Sequence, residues 1–303
     1  MPMKMNDNGM TTGTENRPGI MALSPHMPLL VLLCLFFIGV FLTSLLVMLI
    51  GSENRIQLLF GAVVQDILAF IAPTIITGWL VLRKPAVWCG LKKSVSPLMI
   101  FGVVSVYVVS IAALNAIVVL NESMTLPHWL SGLEEVMRNL EDQAAATTKL
   151  LLGDTSLGGL LSGILIVGVF GPVAEEIFFR GGLQRSLYGK NPVKAIWWSA
   201  LIFSLLHFQM YGFVPRFLLG LWFGYLYYWT GSLWPSIIAH TLNNSVTVLG
   251  QWLVARGSIE EWVLNIGGDF SPMIVGTSLV LTIIAIYGCK VIKPEINPLK
   301  RPV

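Results

Sequence analysis

Apolar residues run in long uninterrupted stretches along this chain, and the polar residues gather between those stretches. The runs fall at about 28–50, 57–82, 97–120, 158–180, 195–211, 213–230, 232–255 and 272–290. A bilayer core takes roughly 20 residues of α-helix to cross, and in lipid a helix satisfies its own backbone hydrogen bonds. The pattern therefore predicts an all-α, polytopic transmembrane helix bundle of about eight spans. The fifth and sixth runs are short and are divided only at Tyr211-Gly212.

Between the third and fourth runs lies the longest polar connection, 121–157, which is acidic. Within it Leu130, Leu133, Val136, Met137 and Leu140 recur at helical spacing. This predicts an amphipathic helix on the membrane surface, or an ordinary solvated loop helix. The organisation that follows is a flexible N-terminal tail at 1–27, N-terminal transmembrane helices with the amphipathic loop at 28–153, a core at 154–255 that holds the chemistry-bearing residues, and at 256–303 a loop, a last span and a basic tail. The first run is too long for the core of a signal peptide and no A-x-A pattern follows it, so it reads as a retained span.

Composition agrees with a bilayer setting. Of the 303 residues 55% are hydrophobic and 12% charged, where a soluble domain carries about 25% charged. A net charge of +3, with the basic residues scattered, gives no footing for nucleic acid. Three cysteines far apart in sequence exclude a disulfide framework and a thiolate metal site. Eight alternating spans with a cytoplasmic N-terminus put 14 of the 19 lysines and arginines inside, which predicts that both termini are cytoplasmic.

Ionisable groups are costly within a span and ask for a reason. Here they crowd into three neighbouring spans. The fourth carries Glu175, Glu176 and Arg180, the fifth Phe203 and His207, and the seventh His240 and Asn244. Glu176 and Arg180 stand four apart with the acid first, the favourable order for a helical ion pair. That leaves Glu175 free for a general-base role. His240 and Asn244, also four apart, share a helix face. At about 1.5 Å per residue, Glu175 lies roughly 8 Å from the cytoplasmic end, His240 roughly 12 Å, and Asn244 and His207 roughly 18 Å. The four can therefore meet in the cytoplasmic half of the bilayer. Asp66 in the second span could line the same space or bond a neighbouring helix. Gly181-Gly182 reads as the end of the fourth helix, and Trp197, Trp198, Trp222, Tyr227, Tyr228, Trp229 and Trp234 read as an interfacial aromatic belt.

Glu-Glu-x-x-x-Arg, Phe-x-x-x-His and His-x-x-x-Asn, in this order on successive membrane helices, resemble the motifs of the CPBP family over about 155–250. The family is also called Abi or CAAX-type intramembrane endopeptidases, and it includes CAAX prenyl endoproteases and bacteriocin-immunity and lysostaphin-resistance proteins. The resemblance implies that Glu175 activates water, that His207 orients it or shares its proton, and that His240 and Asn244 stabilise the oxyanion. Glu176 and Arg180 would be a structural or substrate-carboxylate-handling pair, with Phe203 in support. The family's metalloprotease label raises the expectation of Zn²⁺ held by Glu175, His207 and His240, a set that leaves one position for water. The same residues can also work without metal, and no His-Glu-x-x-His helix is present. The implied partners are a peptide or membrane-protein substrate and the lipid bilayer. Two other readings stay open: a non-catalytic scaffold or immunity-type protein, and a transporter or proton relay. The latter predicts polar residues spread over both halves of the chain, whereas the first half is nearly bare.

Overall fold

The structure, a computed structural model, describes residues 26–188 and 191–292. Among the described residues the chain is helical with no strand. The parts of the terminal tails at 1–25 and 293–303 lie outside the described residues.

Helix α1, Met27–Ile50, starts on a proline and stops at Gly51 in the left-handed region (φ 88°). Helix α2, Arg55–Leu82, opens on a capping box in which Asn54 and Gln57 each satisfy the other's backbone. Helix α3, Pro97–Glu122, is capped by Ser96, and α4, Ser131–Leu152, buries no residue. Helix α5, Leu157–Leu187, is capped by Ser156, whose Oγ accepts from the Gly159 amide at 2.9 Å. Then follow α6 (Pro192–Leu205), α7 (Phe213–Thr230), α8 (Trp234–Ala255) and α9 (Pro272–Val291).

All eight apolar runs are helical. Five of them, α1, α2, α3, α5 and α9, are long and apolar enough to cross a bilayer, α6 is a shorter apolar helix, α7 packs on α6, and α8 packs on α7, α3 and α5. The chain is an integral membrane protein, and its outward surface agrees: α1 and α9 present Phe37, Phe41, Met273 and Ile283 at 60–83% exposure, as lipid contact permits. The predicted amphipathic helix is present as α4, with Leu133 and Val136 more than half exposed.

Three sequence readings need correction. The fifth span does not reach residue 211: α6 ends at Leu205, and the chain turns through Phe208 in the left-handed region (φ 55°). Secondly, Gly181-Gly182 does not end α5, which runs on to Leu187 in the wider i→i+5 turn over Ile177–Gln184. These glycines are instead packing positions, since a Cβ at Gly181 would lie 3.0 Å from that of Cys89, and one at Gly182 3.0 Å from Thr74 Oγ1. Thirdly, Tyr227 and Trp229 are 1% and 8% exposed. They belong to the core, while Trp197, Trp198 and Trp234 remain at the surface.

The interior is built around α5. Phe36 of α1, Phe70 of α2, Phe178 and Phe179 of α5 and Phe203 of α6 form one aromatic cluster, with ring centroids 4.9–6.0 Å apart. Such pairs add to plain area burial and fix α5 laterally. On its other side α8 packs along the Ile164–Phe170 turn. A Cβ on Gly168 would stand 2.7 Å from Ser245 Oγ, so only glycine admits α8 this close. Wide turns of this kind recur at functional sites. Two of them bracket Glu175 and Glu176, and a third, Asp66–Ile71, packs beside the pair from α2.

Candidate active site

Glu175 and Glu176 are adjacent on α5, and helical geometry turns their side chains about 100° apart. Glu176 points inward and is fully buried. Its Oε1 accepts from Arg180 Nη1 at 2.6 Å and from His240 Nδ1 at 2.9 Å. Arg180, equally buried, also donates from Nη2 to the Gly220 carbonyl at 3.1 Å. Its guanidinium carbon stands 4.7 Å and 5.2 Å from the ring centroids of Phe203 and Phe223. A cation so enclosed is reachable only by these groups, so Arg180 is closed to a substrate carboxylate. What sequence reasoning missed is that Glu176 holds His240 as well as Arg180. Spacing alone shows the i,i+4 pair; only helix packing brings His240 from 64 positions away.

The Glu176 carboxylate can only accept, so His240 Nδ1 carries the hydrogen and Nε2 is the nitrogen left for chemistry. Nε2 lies 3.8 Å from Glu175 Oε2. The imidazole is also stacked on Phe223 (4.9 Å, 22°) and meets Phe203 edge-on, which leaves it little freedom to rotate. Glu175 keeps 21% of its side chain exposed, and its Oε2 has no hydrogen-bond partner. The side chain is therefore partly open, while Oε2 itself is buried, uncommitted and turned toward His240 Nε2.

His207 sits on the turn after α6. Its Nδ1 is 2.8 Å from the Phe203 carbonyl oxygen, which again must accept, so in the neutral ring Nε2 carries the lone pair. Its ring packs edge-on against Phe203 at 5.0 Å, and it lies within electrostatic reach of Glu175, His240 and Arg216. Phe203 thus stands between the two histidines as their common wall. Asn244, one turn beyond His240, donates from Nδ2 to the Val167 carbonyl at 3.4 Å and accepts at Oδ1 from Asn243. Its amide is oriented, and one N–H is left over.

Asp66, given little weight from sequence, is 6% exposed and within electrostatic reach of Glu175. Its Oδ2 lies 3.6 Å from where a Cβ on Gly171 would be, one turn before Glu175. A charged residue in an apolar run was the available signal.

His207 lies at the far end of α6, beside α4, whose polar residues bond its turn, and its ring and that of His240 both pack on Phe203. As for zinc, among the described residues no three His, Cys, Asp or Glu side chains gather as a ligand group. The expected set of Glu175, His207 and His240 is not gathered as a ligand group, and no step is derived through a metal.

Comparison with known proteins bears on the same stretch. The family described as type II CAAX prenyl endopeptidase Rce1-like matches residues 157–246, which run from the start of α5 to two residues past Asn244. The match over residues 157–246 supports the resemblance to the CPBP, or CAAX-type, family. YdiL of Bacillus subtilis (strain 168), whose name assigns it to the membrane peptidases, is 32% identical over 112 residues. That alignment covers 35% of this chain and 46% of YdiL, so the chain spans about half the length of the curated relative it matches. No solved structure matches.

Proposed function

We propose that this protein is an intramembrane endopeptidase that hydrolyses a peptide bond with a water activated by Glu175. The observation that carries the reading is the pairing of Glu175, partly exposed and with an unpartnered buried oxygen 3.8 Å from His240 Nε2, with that histidine, whose other nitrogen is fixed by buried Glu176. One carboxylate is left for chemistry and the other holds the imidazole, the division of labour found where a buried acid orients a histidine.

In this mechanism Glu175 takes a proton from water while the water oxygen adds to the scissile carbonyl carbon. The Nε2 lone pair of His207 accepts the water's second hydrogen and aims the nucleophile. Negative charge developing on the carbonyl oxygen meets the spare Nδ2–H of Asn244 and, when the ring is charged, Nε2–H of His240; one such donor contributes about 2.7–4 kcal/mol in a dry site. Glu175 then passes its proton to the leaving nitrogen as the C–N bond breaks. The substrate class is a peptide segment that enters the bilayer, a prenylated C-terminal tail being the form the family description suggests. The excess of basic residues in alternate connections supports cytoplasmic termini.

The test uses purified protein in detergent with a peptide library, comparing wild type with Glu175→Ala and His207→Ala. Cleavage is expected in wild type and lost in both variants at equal expression. Equal product from Glu175→Ala removes the water-activating role. A wild-type protein that cleaves nothing favours the scaffold reading instead.

A further inference from the structure

The turn that carries His207 lies between the end of α6 and a single 3₁₀ turn at Met210–Gly212, and it is clamped from two sides. From α3, buried Asn121 donates to the Met210 carbonyl at 3.0 Å and accepts from the Val214 amide at 2.7 Å. From α4, Glu141 Oε1 accepts from Gln209 Nε2 at 3.2 Å. Gln209 in turn receives Arg216 twice, at its side-chain oxygen (2.9 Å) and at its own carbonyl. Gly212 makes room for this grip, because a Cβ there would stand 2.7 Å from Arg216 Nη1.

The edge of α4 that faces the turn is periodic. Glu134, Arg138 and Glu141 stand at i, i+4 and i+7, one helix face. Glu134 pairs with Arg138 at 2.7 Å, and the Arg138 guanidinium lies 4.6 Å from the Tyr211 ring centroid. The other face is apolar and uncovered, with Leu133 and Val136 at 51% and 54% exposure and Trp129, in the turn just before the helix, at 79%. One side of α4 therefore touches the His207 turn and the other is left for the bilayer surface. The contact also has unused capacity: Glu141 Oε2 and Arg216 Nε are buried without partners, and the two side chains are in electrostatic reach of each other.

We propose that Glu141, Gln209 and Arg216 form a latch by which the surface helix α4 positions the His207 turn, so that the seating of α4 on the membrane sets how well His207 is aimed. The inference rests on the hydrolase reading only for the role of His207; the latch itself is a matter of packing. All three are positioning residues, since none touches the reacting atoms. Misplacing a catalytic group by about 1 Å costs on the order of 100-fold in rate. Breaking the latch should therefore lower kcat and leave KM nearly unchanged.

The experiment compares wild type with Glu141→Ala, Glu141→Gln, Arg216→Lys and Gly212→Ala in vesicles. Glutamine at 141 still accepts from Gln209 and should keep wild-type kcat. Alanine there, lysine at 216 (a compact ammonium without the planar fork that spans both acceptors) and the Cβ at 212 should each reduce kcat roughly 10- to 100-fold, with KM within a factor of about three. A nitroxide label on Phe208→Cys, in a Cys34→Ser background, gives a second readout that needs no activity. Its motion should be restricted in wild type and Glu141→Gln and freer in the other three. A label equally restricted in all five proteins overturns the latch, as does a loss of kcat in Glu141→Gln equal to that in Glu141→Ala. Freer motion in a protein that cleaves nothing upholds the latch and sinks the hydrolase reading.

Discussion

Removing Glu176 separates the two adjacent glutamates. Its carboxylate is fully buried and carries two charge-assisted contacts, Arg180 at 2.6 Å and His240 at 2.9 Å. In Glu176→Ala the buried guanidinium keeps only the Gly220 carbonyl. Breaking a buried ion pair by deleting one partner costs about 3–5 kcal/mol, and the orphaned His240 Nδ1–H adds about 1–3 kcal/mol. At roughly 2 °C per kcal/mol for a chain of this size, the melting temperature should fall by on the order of 10 °C. Glu175→Gln, by contrast, removes a carboxylate whose Oε2 has no hydrogen-bond partner and whose nearest charge-bearing nitrogen is 3.8 Å away. It should melt within about 1 kcal/mol of wild type and be inactive. A third protein isolates the orienting role. Glu176→Leu with Arg180→Met replaces the pair by apolar groups of similar volume, a change that is often neutral or stabilising. That double variant should recover most of the melting temperature, short only by the still unpaired His240 Nδ1–H, yet stay inactive, because nothing aligns His240. Thermal unfolding followed by light scattering, run beside a cleavage assay, reads all three. A Glu176→Ala protein that melts with wild type, or a double variant that cleaves at wild-type rate, refutes the reasoning.

Asn244→Ala should lower kcat by about 100- to 1,000-fold with little change in KM, because the amide is needed only as charge builds on the oxyanion; steady-state kinetics on any cleaved peptide checks it. A zinc chelator should leave the rate unchanged, since each step above runs through side chains, and abolition restored by added Zn²⁺ would reverse that. Outside the membrane, the Arg138 side chain and the Leu126 amide bonded to Glu134 hold its carboxyl below the usual carboxylate range. A depressed folded pKa gives stability that is present above the unfolded value and lost as pH falls through the folded one. Hydrogen exchange at the start of α4, corrected for intrinsic rate, should therefore be flat near neutrality and rise only in acid below pH about 4. A rise between pH 6 and 8 would contradict it.

The sequence by itself determined the helical class and the positions of the helices. An uninterrupted apolar run of bilayer length leaves the backbone one economical conformation, and that physics is local. The pairing of Glu176 with Arg180 was legible for the same reason, four residues apart on one helix. The amphipathic face of α4 was legible from its period. Where helices end was less so: Gly181-Gly182 has the signature of a stop, but packing against Cys89 and Thr74 makes it a tight passage instead. Tyr227 and Trp229 look like belt residues until α7 turns them inward. Tertiary structure alone decided that Glu176 grips His240, that Asp66 lies in reach of Glu175, and that α4 holds the His207 turn. Those contacts join residues from 64 to 109 positions apart, and no spacing rule spans such distances. They depend on which faces the wide turns of α2 and α5 present, and that is fixed only when the helices close on one another.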